Sequence, residues 1–178
     1  MNRDSRTSVT RHSFLEETLS NWRDVREGLI AEVENIRSTK FDFRPTDEVR
    51  TVRELVQHIL ELACMMTGEL TRKDTNFQRA PWPKLMEMYA GHVYDAQTKS
   101  ELLDLLRKQI DEAEDKFREA GEAGMWALII NFDGSKWTKL QWMHHGIAHE
   151  MYHRGQLTTY ERLMGLTPAL TQKIRGGA

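Results

Sequence analysis

The stretch that decides the fold is His145-Gly146-Ile147-Ala148-His149-Glu150-Met151-Tyr152-His153-Arg154-Gly155-Gln156-Leu157, in which three histidines follow one another at four-residue steps inside a helical apolar pattern. Residues four apart share one face of an α-helix, so two such imidazoles can reach a single divalent ion at the ~2.0 to 2.1 Å that zinc takes. All three cannot, because His145 and His153 stand about 12 Å apart along the axis at ~1.5 Å rise per residue. One overlapping pair binds, and the remaining histidine does something else. Seven histidines in 178 residues give by chance about 0.3 pairs at this spacing, so two overlapping pairs are a moderate excess, with ordinary surface histidines as the competing reading. A site also needs a third ligand, and His58 is the best candidate.

Working outward, the histidine row sits in the last of four long amphipathic helices. Each opens with Ser or Thr followed three residues later by Glu or Gln, the pairing that satisfies the free N–H groups of a first turn. The starts are Ser13 with Glu16, Thr51 with Glu54, Thr98 with Glu101 and Thr138 with Gln141. The pattern predicts helices over about 13–36, 51–71, 98–120 and 138–164. The first buries a stripe through Phe14, Leu15, Trp22, Val25, Leu29, Ile30, Val33 and Ile36. The second carries His58 at the edge of an apolar stripe through Val52, Leu55, Val56, Ile59, Leu60, Leu62, Ala63 and Met66. The third stops at Gly121-Glu122-Ala123-Gly124. In the fourth, Leu140, Met143, Ile147, Ala148, Met151, Leu157 and Leu163 share the helix with the histidines, and Gly165 stands where a C-terminal cap belongs. The fold class is all-α, a four-helix bundle with short extra segments between helices two and three and between helices three and four.

Those segments are less regular. Ala80-Pro81-Trp82-Pro83 breaks the chain ahead of a short helix through Leu85, Met86, Met88 and Tyr89. Residues 125–137 read equally as an extended lid strand or a short helix, with a turn at Asp133-Gly134-Ser135. Pro168 begins a tail. One domain spans 1–178, with its core over about 12–170 and frayed ends at 1–10 and 172–178.

Composition excludes several classes. With 39% hydrophobic and 29% charged residues and a net charge of −2, the chain has no general attraction for nucleic acid or an anionic membrane. Its longest apolar runs, such as Trp126–Ile130, fall far short of the ~20 residues that span a bilayer, and the N-terminus has no apolar signal core. The expected location is the cytoplasm. A single cysteine, Cys64, rules out an internal disulfide framework and a cysteine-rich metal cage, so any metal rests on histidine and carboxylate.

Three stretches together resemble one known family: Phe43-Arg44-Pro45, then Thr51-Val52-Arg53-Glu54-Leu55-Val56-Gln57-His58-Ile59-Leu60, and His149-Glu150-Met151-Tyr152-His153-Arg154-Gly155-Gln156-Leu157. This is the pattern of the DinB superfamily, and the similarity covers roughly residues 12–170. The resemblance implies an up-down-down-up bundle and a divalent ion, zinc or nickel, on His58, His149 and His153. It also implies frequent dimers. Relatives include mycothiol-dependent maleylpyruvate isomerases and bacillithiol S-transferases, so the resemblance implies a metal-dependent enzyme of thiol-dependent transfer or isomerisation, with a low-molecular-weight thiol as co-substrate. The alternatives are a metal-dependent hydrolase and a non-catalytic metal- or small-ligand-binding stress-response protein. His144 and His145 match no ligand position of the pattern.

Three histidines without a fourth protein ligand leave positions open, the arrangement of a catalytic rather than a closed structural site. No catalytic residue is named by the sequence, nor is an organic cofactor site or a particular small-molecule substrate. Glu61, one turn beyond His58, is placed to orient that imidazole. Arg154 and Gln156 read as anchors, Glu150 as turned away from the ion, Cys64 as a small buried hydrophobe, and Met65, Met66, Met86 and Met88 as core filler. His12, His92 and His144 read as solvated. Because ligation needs neutral imidazoles of unperturbed pKa ~6.5, metal affinity is expected to fall below about pH 6. Trp22 and the run Leu102, Leu103, Leu105 and Leu106 give more apolar surface than one stripe per helix needs, which predicts a symmetric homodimer.

Overall fold

The structure is a computed structural model that describes residues 13–176. Four long helices, α1 (Phe14–Asn35), α2 (Val52–Leu70), α4 (Lys99–Met125) and α5 (Lys139–Leu163), are joined by short elements: α3 (Trp82–Ala90), strands β1 (Leu128–Ile130) and β2 (Lys136–Thr138), and a last helix α6 (Ala169–Gly176). The expected caps are in place. Ser13 and Thr138 accept from the backbone N–H three residues on, and Thr51/Glu54 and Thr98/Glu101 form complete reciprocal capping boxes. The expected stop at Gly121 is a break within α4, where the glycine takes φ 70° and ψ 158° before the helix resumes to Met125.

Side-chain contacts give the order and direction of the bundle. Phe14 packs on His144 and Asn35 donates to Glu161, so α1 and α5 run parallel. Ser13 bonds Glu122 and Arg107 bonds Glu34, so α1 and α4 are antiparallel. Gln109 donates to Thr67 and Arg53 to Gln97, which makes α2 and α4 parallel neighbours. Tyr160 donates to the Arg50 carbonyl while Met66 lies against Gly146, so α2 and α5 are antiparallel. That is the up-down-down-up order.

Parallel neighbours cannot be joined by a tight turn, and the connection from α2 to α4 must travel back along the bundle. Residues 71–98 do so. The segment packs mainly on α2, and its Ala90, Val93 and Ala96 share one core cluster with Leu102, Leu103 and Leu106 of α4, Leu29 and Val33 of α1 and Leu55 and Leu60 of α2. Those three α4 leucines are buried here and Trp22 in the other core cluster, while Leu105 is half-buried, so most of the apolar surface on which a dimer was expected lies inside the chain. The second connection is a hairpin: β1 and β2 pair antiparallel with Ile129 opposite Trp137, closed by a loop with Gly134 at φ 83°. The strand reading of 125–137 holds.

Several positions depart from the apolar-stripe reading. Phe14 of α1 and Met88 of α3 are exposed, and so are Ala148, Met151 and Leu163, these last because α5 turns a polar face with Glu150, His153 and Glu161 inward. Glu150 is buried against α1, where Arg26 Nε donates to its Oε1 at 2.5 Å, Arg26 NH2 to Oε2 at 2.8 Å and Trp22 Nε1 to Oε2 at 2.9 Å. The remaining guanidinium nitrogen donates to the Leu106 carbonyl, so every charge in this pocket is answered.

The tail expected after Pro168 is instead helical over Ala169–Gly176. Buried Glu32 of α1 supplies the reason: its two carboxylate oxygens accept from the backbone N–H groups of Ala169 and Leu170 at 2.6 and 3.2 Å, a charge-assisted cap at the positive end of the helix dipole. Of the predicted frayed ends at 1–10 and 172–178, residues 172–176 belong to this helix, and 1–10 and 177–178 lie outside the described residues. Beside Glu32, burial pushes the Glu161 carboxyl up to about 8, with the hydrogen bond to Glu32 adding to the effect. Glu161 thus stays protonated while its unfolded counterpart ionises near 4.3. The protonated form is fully stabilising below that value, and the benefit is lost as pH rises toward 8. Glu161→Gln should therefore gain on the wild type as pH rises from 5 to 8; urea midpoints that differ equally at both values would refute the shared proton.

Candidate metal centre

His58 leaves α2 near its first turns and faces α5. The antiparallel register fixes what it meets. Two turns back along α2 from Met66 lies the level of His58, and two turns on along α5 from Gly146 lies His153. A side chain at 146 would collide with Met66, whose sulfur lies 2.2 Å from where its Cβ would be, so glycine there sets the close approach of the two helices. His145, at the level of Met66, has no facing donor. It packs instead on Trp142 and Trp137, with ring centroids 5.2 and 6.0 Å away.

The ligand atoms of His58, His149 and His153 lie within 4.8 Å of one another. His149 Nε2 is 3.1 Å from His58 Nε2 and 3.0 Å from His153 Nε2. His153 Nδ1 donates to Gln156 Oε1 at 2.6 Å, which fixes the tautomer and leaves its Nε2 a bare lone pair. The His149 nitrogen faces two others, and one proton cannot serve both neighbours. Converging lone pairs call for a cation. Nitrogens each ~2.0 to 2.1 Å from one ion would be separated by about 2.9 to 3.4 Å, so the donor set fits a divalent metal with further positions open toward solvent.

The surroundings keep the imidazoles neutral. Burial pushes His149 down to about 3, helped by His153, His58 and His145, and burial also lowers His58 and His153, with the Arg50 charge acting in the same direction on each. The expected loss of metal affinity below pH 6 is therefore displaced to lower pH, since protons compete for the site later than for free imidazole. For the metal-free protein the sign is clear. His149 stays neutral when folded and protonates near 6.5 when unfolded, so its share of stability is complete above 6.5 and declines as pH falls toward 3. His149→Gln should flatten the drop in urea midpoint between pH 7 and pH 5; an unchanged drop would contradict the buried neutral imidazole.

Glu61 Oε2 stands 3.5 Å from His58 Nδ1, the orienting place read from its spacing. Gln156, read from the sequence as an anchor, holds His153; that its partner is a ligand histidine was signalled only by the three-residue offset. Arg154 lies along Gly28 with its guanidinium 3.8 Å from Glu32. Cys64 is partly buried, and burial pushes its thiol up to about 11, so it is no nucleophile. His144 lies against Phe14, His92 is exposed, and His12 falls outside the described residues. Among the described residues no helix is long and apolar enough to cross a membrane.

Comparison with known proteins follows the same outline. The DinB family model matches residues 6–175. A DinB-like protein of Bacillus subtilis is 20% identical with a TM-score of 0.64, the alignment covering 85% of this chain and 93% of that one. YfiT from Bacillus subtilis, described as a probable metal-dependent hydrolase with an unusual four-helix bundle topology, is 19% identical over 94% of each chain, TM-score 0.65. A mycothiol-dependent maleylpyruvate isomerase is 16% identical with a TM-score of 0.61; 80% of this chain aligns, spanning 60% of that protein. No match to a curated protein was found.

Proposed function

We propose that this chain, which belongs to the DinB family, is a metal-dependent enzyme that holds zinc or nickel on His58, His149 and His153 and carries out thiol-dependent transfer or isomerisation. The observation that carries the reading is the convergence of three Nε2 atoms with one tautomer already fixed by Gln156. A divalent ion held there would supply Lewis-acid chemistry, lowering the pKa of a thiol or water so that it attacks at neutral pH. The chain does the rest. His58, His149 and His153 present lone pairs from two rigid helices, Gln156 and Glu61 hold two of the rings in place, and burial keeps protons off the nitrogens. Glu61 is already turned to His58 Nδ1, so the nucleophile's activation falls to the ion rather than to a protein base. That favours a thiol, whose proton is easily lost, over water.

A metal-dependent hydrolase is the second reading, supported by what is said of YfiT. Protein loaded in turn with zinc and nickel should conjugate cysteine or glutathione to 1-chloro-2,4-dinitrobenzene, followed by absorbance, and the metal-free protein should not. Release of p-nitrophenol from simple esters without thiol consumption would transfer the assignment to hydrolysis. Metal binding with neither activity would leave a ligand-holding protein. A homodimer is also proposed, now through the exposed Phe14 and Trp126, whose rings lie 5.9 Å apart, and Leu128 beside them. Light scattering giving the 20.8 kDa of one chain at micromolar concentration would rule a stable dimer out.

A further inference from the structure

A cleft of about 570 Å³ opens beside the metal centre at His58, walled by Arg50, Glu54, His58, Glu61, Tyr94 and Gln156 among others. That volume is the size of a small-molecule site. Of its three carboxylates, Glu48 is exposed at the rim and makes no ion pair with Arg50, and the other two are already engaged. Glu54 Oε2 accepts from the Thr51 backbone N–H at 2.7 Å to close the capping box, and Glu61 faces His58 Nδ1 and accepts from the Tyr94 hydroxyl.

Arg50 is different. Its neighbours in sequence are paired, Arg44 with Asp47 at 3.1 Å and Arg53 with Asp42 at 2.8 Å. Arg50 is fixed through its backbone, where its carbonyl accepts from the Tyr160 hydroxyl at 3.0 Å, while among the described residues its guanidinium has no carboxylate partner. It stands immediately before α2, at Thr51's doorstep, on the wall that carries His58. Three neutral imidazoles leave the charge of a divalent ion uncompensated, and Arg50 adds a second positive centre to the same cleft. Its charge already opposes protonation of all three histidines.

We infer that Arg50 binds a carboxylate of the substrate, and that the substrates are small organic acids whose reacting atom lies beside the histidine cluster while the acid group meets the arginine fork. A planar guanidinium offers a carboxylate two parallel N–H donors, a geometry lysine lacks. The inference rests on the three-histidine reading and adds to it a residue that touches no metal. It also gives the cleft two positive poles, Arg50 and the ion that the neutral histidines would hold, on a wall shared with Glu61 and Tyr94.

The test uses full-length protein loaded with zinc to measured stoichiometry, and two probes of nearly equal size, 3-mercaptopropionate and its neutral amide, titrated by calorimetry at pH 7.5. Wild-type protein should bind the acid at least ten-fold tighter than the amide. Arg50→Gln should lower acid binding to the level of the amide, leaving zinc content, the amide's affinity and the urea midpoint unchanged. Equal binding of acid and amide by the wild type, or a preference that survives in Arg50→Gln, would overturn the role of Arg50 while leaving the metal site standing. A chain that takes up no zinc would overturn both.

Discussion

Alanine in place of His153 is expected to take the protein from one bound divalent ion per chain to none after dialysis, whereas His145→Ala leaves the ion bound. His153 supplies one of only three converging nitrogens, and His149 Nε2 has His153 as one of its two neighbours, at 3.0 Å. Loss of a supporting hydrogen bond around a metal costs about 10- to 100-fold in affinity, and Gln156→Ala, which frees His153 Nδ1, should fall in that range. Removing the ligand itself costs more. The fold should survive, since His153 bonds only Gln156 and its fellow histidine and takes no part in the core pair of Arg26 and Glu150. Metal analysis with circular dichroism on the same samples checks this; stoichiometric metal in a folded His153→Ala would sink the assignment.

The second large effect concerns stability. Glu150→Ala is expected to cost roughly 3 to 5 kcal/mol, because it strands the guanidinium of Arg26 in the core without a counter-charge. Both side chains are almost completely shielded, 0% and 3% exposed. Such a loss is a large part of the ~5 to 15 kcal/mol by which domains are stable, and at ~2 to 4 °C per kcal/mol for a chain of this length it lowers the melting temperature by about 6 to 20 °C. Replacing both partners by apolar residues, Arg26→Met with Glu150→Leu, should recover much of the loss, since neither charge is then left alone. Urea unfolding followed through Trp22, whose indole N–H donates to Glu150, measures both. A Glu150→Ala variant within about 1 kcal/mol of wild type would show that water reaches this pair.

Local signals made much of the bundle legible. The caps at Thr51 and Thr98 bond within three residues, so their pattern is written in the sequence itself, and both are present as read. The histidine row was legible because an i, i+4 spacing has one geometric meaning on a helix. Choosing between its two overlapping pairs needed the register of α2 against α5, which depends on Met66 meeting Gly146 and is set by packing.

What stayed hidden rests on partners far apart in the chain. Arg26 and Glu150 look like surface charges until α1 and α5 are brought side by side, and the inward turn of Glu150, His153 and Glu161 is why an apolar stripe misplaced Ala148 and Met151. The helix α6 was hidden for the same reason, since its cap is Glu32, contributed from a helix over a hundred residues earlier. Leu102, Leu103 and Leu106 were identified as surplus apolar surface, but they are buried among α1, α2 and residues of the irregular segment, a meeting that no periodicity describes.

The measurement that bears most directly on the central claim is a crystal structure of zinc-loaded protein with diffraction recorded on both sides of the zinc absorption edge. The account predicts one anomalous peak per chain between α2 and α5, about 2.0 to 2.2 Å from the Nε2 atoms of His58, His149 and His153, with the rest of its shell open to the cleft beside Arg50. A peak held by His145 and His149, or one bound by carboxylates away from His58, would contradict it.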